Sequence, residues 1–357
     1  MSGMVLDRND RALDFRSDNV AGFPPEVLQA LQSANRGADS SYGEDAISKR
    51  LKETLQDVFE HELAVFPVAT GSAANALALA HLTPGWGSVL CHEGAHIATD
   101  ECGAPEFFTG GAKLAGLPGA DGKLSAAVVA AYLARDSRGV HHVQPAAISL
   151  TQSTEAGTCY RAAEIGAITS IAHAHGLKTH MDGARFANAV AALGCTPAEI
   201  TWKAGVDVLS FGLTKNGAIS AEAVVFFDPA IAETFGYRRK RGGHLFSKMR
   251  FVSAQFEALL EGGLWLVLAG NANAMAARLA AGLSALPDVS LVYPVQANEV
   301  FLAMPEARLA ALERAGYRFY RWDAPADGAI RLVTGFDTDV GAVDAFIETV
   351  ASPDQGA

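Results

Sequence analysis

Hydrophobic positions along the chain recur at two spacings, and the segments that carry them take turns. Pro24-Pro25-Glu26 opens a helix, as proline in a first turn can, with Val27, Leu28 and Leu31 on its apolar side. Ile47, Leu51, Leu55, Val58 and Phe59 fall at helical spacing, which makes that face core. Residues 63–68 then read as a strand, 70–82 as an alanine-rich helix and 88–93 as a strand. Further on, 125–135 and 161–176 read as helices, and 146–150, 177–182, 206–211 and 221–227 as strands. Strands and helices in such alternation predict an α/β fold.

A long helical span from 245 to 283, interrupted at Gly262-Gly263, leads into a second group of elements. Its strands are expected at 289–295, 299–304, 317–322 and 329–336, with helices at 306–315 and 340–350, which suggests a small, mainly antiparallel sheet. The expected organisation is an extended arm over 1–20, a large domain over 21–260, and a linker helix with a smaller domain over 261–357. The glycine-rich stretch 103–119 is expected to form a flexible pocket rim. No internal repeat or low-complexity tract is evident apart from a short polar tail after Ser352.

Composition narrows the function classes. At 357 residues and 50% hydrophobic content, the chain can bury a large core. A formal net charge of -11 opposes nucleic acid or an anionic membrane as a main partner. Cys91, Cys102, Cys159 and Cys195 are widely spaced and form neither C-x-x-C pairs nor a zinc pattern, which predicts reduced thiols in a cytoplasmic protein without a metal site. The first twenty residues are too rich in charge for a secretory signal, and no uninterrupted apolar stretch is expected to span a membrane.

The candidate chemistry gathers at strand ends. The run 206–211 ends in Gly212-Leu213-Thr214-Lys215-Asn216-Gly217, so Lys215 should stand just beyond a strand's carboxyl end, where open α/β sheets bind ligands. A lysine desolvated there can lose its proton and form a Schiff base with a carbonyl; a solvated surface charge is the ordinary alternative. Asp182 and Arg185, three apart across a turn, could point into the same crevice or simply pair locally. A pyridoxal phosphate (PLP) enzyme needs such a carboxylate to keep the pyridine nitrogen protonated. Gly71-Ser72 at a helix start suits a phosphate, though an ordinary N-cap reads the same way.

His96 and His92 compete as titrating groups after the strand 88–93, and of the adjacent His141 and His142 at most one should reach a site. His173 and His175 lie two apart on a helix and do not share a face, so they make no metal pair. The basic run 237–243 reads as a solvated face or, less often, a nucleic-acid patch. Arg331, inside a strand, has the planar fork that matches a carboxylate bidentately, if it faces the crevice instead of solvent.

Taken together, His180-Met181-Asp182-Gly183-Ala184-Arg185 followed by Ser210-Phe211-Gly212-Leu213-Thr214-Lys215-Asn216-Gly217 resembles the threonine aldolase family of fold type I PLP enzymes. The resemblance runs from Phe15-Arg16-Ser17-Asp18-Asn19 to Arg331-Leu332-Val333-Thr334. It implies a large domain with a mainly parallel seven-stranded sheet flanked by helices, plus a smaller C-terminal α/β domain. It also implies PLP on Lys215, with Asp182 at the pyridine nitrogen, Arg185 on the phenolic-oxygen side, Gly71 and Ser72 at the phosphate and His96 against the ring. Ser17 and Arg331 would hold the carboxylate of an amino-acid substrate, His141 would lie near its β-hydroxyl, and His96 or His141 would carry the proton.

By the same resemblance the chain forms a homo-oligomer, a tetramer of two dimers with active sites at the dimer interface, where Lys240, Arg241 or Lys248 reaches the neighbour's phosphate. The family often has Glu-Asn-Thr-His after the strand predicted at 146–150; this chain departs from it with Thr151-Gln152-Ser153-Thr154-Glu155. The expected reaction is retro-aldol cleavage of L-threonine, L-allo-threonine or L-phenylserine to glycine and an aldehyde. Small residues at Gly94-Ala95 and Cys102-Gly103-Ala104 are expected to leave room for a large aldehyde side. The alternatives are an aminotransferase or β-eliminating lyase, or a non-catalytic amino-acid-binding member, against which Lys215, Asp182, His96 and Arg331 together argue.

Overall fold

The larger sheet is built from β1 (Ala64–Val68), β2 (Gly87–His92), β3 (Lys113–Leu117), β4 (Gln144–Thr151), β5 (Lys178–Gly183), β6 (Val208–Gly212) and β7 (Glu222–Phe226), in the order β1-β7-β6-β5-β4-β2-β3. The computed structural model describes residues 9–135, 139–322 and 327–352, so residues 1–8 of the expected arm and 353–357 of the polar tail lie outside the described residues. Neighbours from β3 to β6 pair in parallel, whereas β7 is antiparallel to β6 and β1 is antiparallel to β7. Two reversals cancel, so β1 runs with β2, β4, β5 and β6. Their carboxyl ends and the amino end of β7 therefore share one edge of the sheet.

The expected seven-stranded, mainly parallel sheet is thus present, and its central strands are buried on both faces because helices cover both. Phe59, Phe186 and Phe211 interlock at ring separations of 5.7 to 6.0 Å in the main core. Side chains cap the starts of several covering helices: Asp45 Oδ1 accepts from the Ser48 N–H at 2.8 Å, Thr70 Oγ1 from the Ala73 N–H at 3.2 Å and Ser125 Oγ from the Val128 N–H at 3.3 Å.

A second sheet of β8 (Ser290–Leu291), β9 (Glu299–Ala303), β10 (Tyr320–Arg321) and β11 (Ala329–Val333) has the order β10-β11-β9-β8 and is antiparallel throughout. β8 and β10 are shorter than the expected 289–295 and 317–322. Phe15, far away in sequence, is buried in this second core, with its backbone N–H donating to Arg318 O and its carbonyl accepting from Val333 N. The arm is thereby stitched to the smaller sheet.

Two expectations are corrected here. The stretch 103–119 is not a bare rim: it holds the helix Ala104–Thr109, flanked by Gly103 and Gly110 at positive φ, and the edge strand β3. Its sequence signal was weak because an edge strand half open to solvent carries few apolar residues. The second concerns membrane-spanning length. Arg250–Ser284 is long and apolar enough by composition to cross a bilayer, contrary to the expectation. Half of that stretch's apolar window is buried: Phe256 and Trp265, which flank the Gly262-Gly263 turn, pack in the main core, and Leu279 and Leu283 pack in the second. That is the burial of a core helix joining two units.

Candidate active site

The shared edge opens into a cavity of about 350 Å³, lined by Asn19, Gly71, Ser72, Asn75, His96, Glu101, Glu155, Asp182, Arg185, Lys215 and Glu222 among others. Each strand end delivers its residue there. Lys215 sits in the 3-10 turn Thr214–Asn216 just beyond β6, which is held by the Asn216 side chain donating to Trp265 O at 2.7 Å. Gly217 closes the turn at φ +104, and a Cβ there would meet Pro24 Cδ at 2.9 Å, so both the dihedral and the space call for glycine.

Asp182 ends the buried part of β5 and is itself 3% exposed. Its Oδ1 accepts from the Ala184 N–H at 3.0 Å and its Oδ2 from the Asn75 side-chain amide at 2.8 Å. The same Asn75 nitrogen donates its second hydrogen to Glu101 Oε1 at 2.8 Å, and Glu101 Oε1 in turn lies 2.9 Å from His96 Nδ1. An amide thus ties two carboxylates together, and the second orients an imidazole with Nδ1 as donor and Nε2 left free. The hydrogen bond to Glu101, helped by the charge of Asp182, raises the His96 pKa against burial and Lys215. Behind Asp182, His180 bridges Ser149 and Ser210 at 2.9 Å each, and burial pushes its pKa down to about 4, so it is neutral.

Glu155, from the departing Thr-Gln-Ser-Thr-Glu loop, also reaches the wall. Its Oε1 accepts from the His96 N–H at 2.6 Å and the Thr151 hydroxyl at 3.1 Å. Burial, reinforced by Asp182, pushes its pKa up to about 7. Gln152 fixes the loop by exchanging two hydrogen bonds with the Tyr160 backbone at 2.8 and 2.9 Å.

Arg185 lines the cavity with its guanidinium gripped from behind. Asp18 takes Nε and Nη2 at 2.8 and 3.1 Å, and Glu299 Oε2 lies 3.3 Å from Nη1. Asp18 is buried, and although burial pushes its pKa up, Arg185 and Lys215 hold it below the ordinary value. Arg331 stands one residue further back. It lies 4.0 Å from Glu299 Oε1, donates to Arg16 O at 3.3 Å and is sandwiched by Tyr320 and Trp322 at 5.3 Å each.

The cavity therefore unites Lys215, Asp182, Arg185, Gly71, Ser72 and His96 of the expected set. It does not include the other three. Ser17 Oγ caps the next turn by accepting from the Asn19 N–H at 3.1 Å, and Asn19 lines the wall in its place. Arg331 reaches the site only through Glu299. His141 is exposed and precedes β4, whereas the cavity lies beyond the other end of that eight-residue strand, about 25 Å away at about 3.3 Å per residue. A residue before a parallel strand cannot share an edge with residues after it, so within one protomer His141 is off the site.

Lys240, which rests on the Tyr42 ring, Arg241 and Lys248 do not line their own chain's cavity; nor do His92, Gly94-Ala95 and Cys102-Gly103-Ala104. The residues that sequence reasoning missed are Asn75, Glu101, Glu155, Glu222, Asp18 and Glu299. Asn75 amid Ala73, Ala74, Ala76, Leu77 and Ala78, and Glu222 at the head of an apolar strand, were readable as buried polar groups needing a reason.

A family model described as beta-eliminating lyase matches residues 14–307. The chain is 45% identical over 334 residues to the low specificity L-threonine aldolase of Pseudomonas sp. (strain NCIMB 10558), covering 94% of this chain and 96% of that protein. The Pseudomonas aeruginosa protein of the same description gives the same identity and coverage. Among solved structures, a threonine aldolase of Leishmania major superposes with a TM-score of 0.89 at 28% identity, covering 95% of this chain and 98% of that one.

Proposed function

Since the chain belongs to the beta-eliminating lyase family, in its threonine aldolase branch of fold type I enzymes, we propose that it is a PLP-dependent aldolase cleaving L-β-hydroxy-α-amino acids to glycine and an aldehyde. L-Threonine, L-allo-threonine and L-phenylserine are its proposed substrates. The observation that carries the reading is the single cavity that sets Lys215, the Asn75-supported Asp182, the Glu101-paired His96 and a helix N-terminus around one space.

The walls fit the cofactor. Asn75 Oδ1, Ser153 Oγ and Glu155 Oε2 are buried there without hydrogen-bond partners, as expected of a polar cavity shaped for a ligand. Thr70 caps Ala73, so the N–H groups of Gly71 and Ser72 remain for a phosphate. Lys215 would tether PLP, Asp182 would keep its ring nitrogen protonated and His96 would lie against its ring. When bound, the cofactor supplies an electron sink for the carbanion left at the substrate's Cα.

The chain's own residues do the rest. His96 Nε2 takes the β-hydroxyl proton, and Glu101 stabilises the resulting imidazolium through Nδ1. Asn75 keeps Asp182 and Glu101 apart in role while holding both in place. Arg185 on the wall, with Arg331 behind Glu299, marks the end suited to the substrate carboxylate. No lysine or arginine other than Lys215 and Arg185 lines this cavity among the described residues. That supports a further part of the proposal, an oligomer in which a partner supplies positive charge near the phosphate.

The test is to incubate the purified protein with PLP and L-threonine or L-phenylserine and to identify the products. Glycine with acetaldehyde or benzaldehyde is expected, together with a visible cofactor band bleached by borohydride. A keto acid in place of glycine would reassign the protein to an aminotransferase or β-eliminating lyase.

A further inference from the structure

Glu222 opens β7 opposite Gly212 on β6 and Val68 on β1, between the Lys215 turn and the start of the helix Gly71–Leu82. It is 5% exposed. Its Oε1 accepts from the Thr214 N–H at 3.3 Å, and the Thr214 side chain also hydrogen-bonds the carboxyl. Oε2 lies 3.8 Å from where a Cβ on Gly71 would stand and 2.7 Å from where one on Gly212 would stand. Gly212 is therefore what lets this carboxyl lie flat against the sheet and face the helix N-terminus. Nothing in the aldolase chemistry described above uses it.

We propose that Glu222 is a member of the anion cradle that binds the cofactor's phosphate as a neutral acid, so that loading the site takes up a proton. This rests on the reading that a phosphate occupies the N–H groups of Gly71 and Ser72. A carboxylate and a phosphate dianion side by side in a buried crevice repel each other, whereas a carboxylic acid there becomes an additional O–H donor. The proton comes from solvent and resides on Glu222 in the loaded state; no covalent bond changes.

The charged and titrating groups around Glu222 agree with this. The Thr214 side chain, Lys215 from the adjoining turn and the Thr214 N–H favour its ionised form, while Asp182 on β5 opposes it. β1 presents Val68 and the helix presents Asn75, neither of them charged, and His244 lies behind the loop, its Nδ1 accepting from the Ala69 N–H at 3.4 Å. Burial is the largest influence and pushes the Glu222 pKa up to about 7 before any ligand arrives. An arriving anion raises it further. Above pH 7 the loaded site then holds a proton that the free site has lost, and affinity falls about tenfold per pH unit.

The test is calorimetric titration of the full-length protein, freed of cofactor, with PLP, pyridoxal and inorganic phosphate in two buffers of different ionisation enthalpy. At pH 8 the wild type should take up about one proton more with PLP than with pyridoxal. In Glu222→Gln, whose amide donates at every pH, that excess should vanish. Its affinity for inorganic phosphate should match the wild type at pH 6 and exceed it by about tenfold at pH 8. Equal proton counts for PLP and pyridoxal in the wild type would overturn the proposal without any variant. So would a variant whose phosphate affinity falls with pH as steeply as the wild type's. A wild type that borohydride cannot label with PLP at Lys215 would instead sink the PLP reading itself.

Discussion

Two buried polar networks meet at the cavity, and they are built on opposite plans. On the floor, Asp182, Asn75, Glu101 and His96 form a chain in which a neutral amide joins two carboxylates, with no lysine or arginine hydrogen-bonded to either among the described residues. On the rim, Asp18, Arg185, Glu299 and Arg331 alternate in sign, so that two cations face two anions. The floor draws its members from one domain, namely the Gly71 helix, the segment after β2 and β5. The rim joins the N-terminal segment, the turn after β5 and strands β9 and β11 of the smaller sheet. An uncompensated floor is poised to hold a protonated ring and move a proton. A charge-balanced rim is suited to fixing the geometry of three segments, since paired charges in a buried place are costly to separate.

Substitutions can break that contrast. The largest effect is expected from Lys215→Ala, which should lower turnover by at least about 10³-fold and abolish borohydride labelling while some cofactor still binds. Unchanged turnover would remove Lys215 from the chemistry. Asp182→Ala should cost about 10²-fold or more in kcat with the fold intact by circular dichroism; a mild defect would remove its electronic role. Asn75→Ala leaves two buried carboxylates short of a donor and should destabilise the protein by about 1–3 kcal/mol in urea unfolding, with a loss in kcat.

On the rim, Glu299→Gln should raise KM by about tenfold with kcat changed by less than about threefold, because it disturbs Arg185 and Arg331 and not the floor. A kcat defect as large as that of Asn75→Ala would erase the distinction between the networks. The finest effect is on pH. Glu101 raises the His96 pKa, and the base must be neutral to accept a proton, so kcat/KM for cleavage should rise through the His96 pKa. Glu101→Gln removes the stabilising carboxylate and should move that rise to lower pH. A profile that stays in place would separate His96 from the proton transfer.

The two networks also differ in how far the sequence disclosed them. Asp182 and Lys215 stood out because each follows a short apolar strand, and a strand's carboxyl end is where such sheets bind ligands. Gly71-Ser72 stood out because a helix start after a strand is a local pattern. On the rim Arg185 and Arg331 were named, but their partners Asp18 and Glu299 were not, because those two lie far apart along the chain and no local spacing links them. His141 shows the same limit from the other side. The family resemblance put it near the substrate, yet β4 carries everything before it to the far edge of the sheet.

The order of strands and helices, the smaller antiparallel sheet and the strand-end places of Lys215 and Asp182 were present in the one-dimensional pattern, because apolar periodicity and turn residues are local properties. The mainly parallel larger sheet and the choice of His96 came from the family resemblance. The tertiary structure alone decided which polar groups share a dry space. It turned Asn75 between two carboxylates, brought Glu155 and Glu222 into the cavity, and set Arg331 behind Glu299. The reason is physical: burial and partnership depend on distances across the fold, and desolvation and charge at those distances set what each carboxyl, imidazole and guanidinium can do.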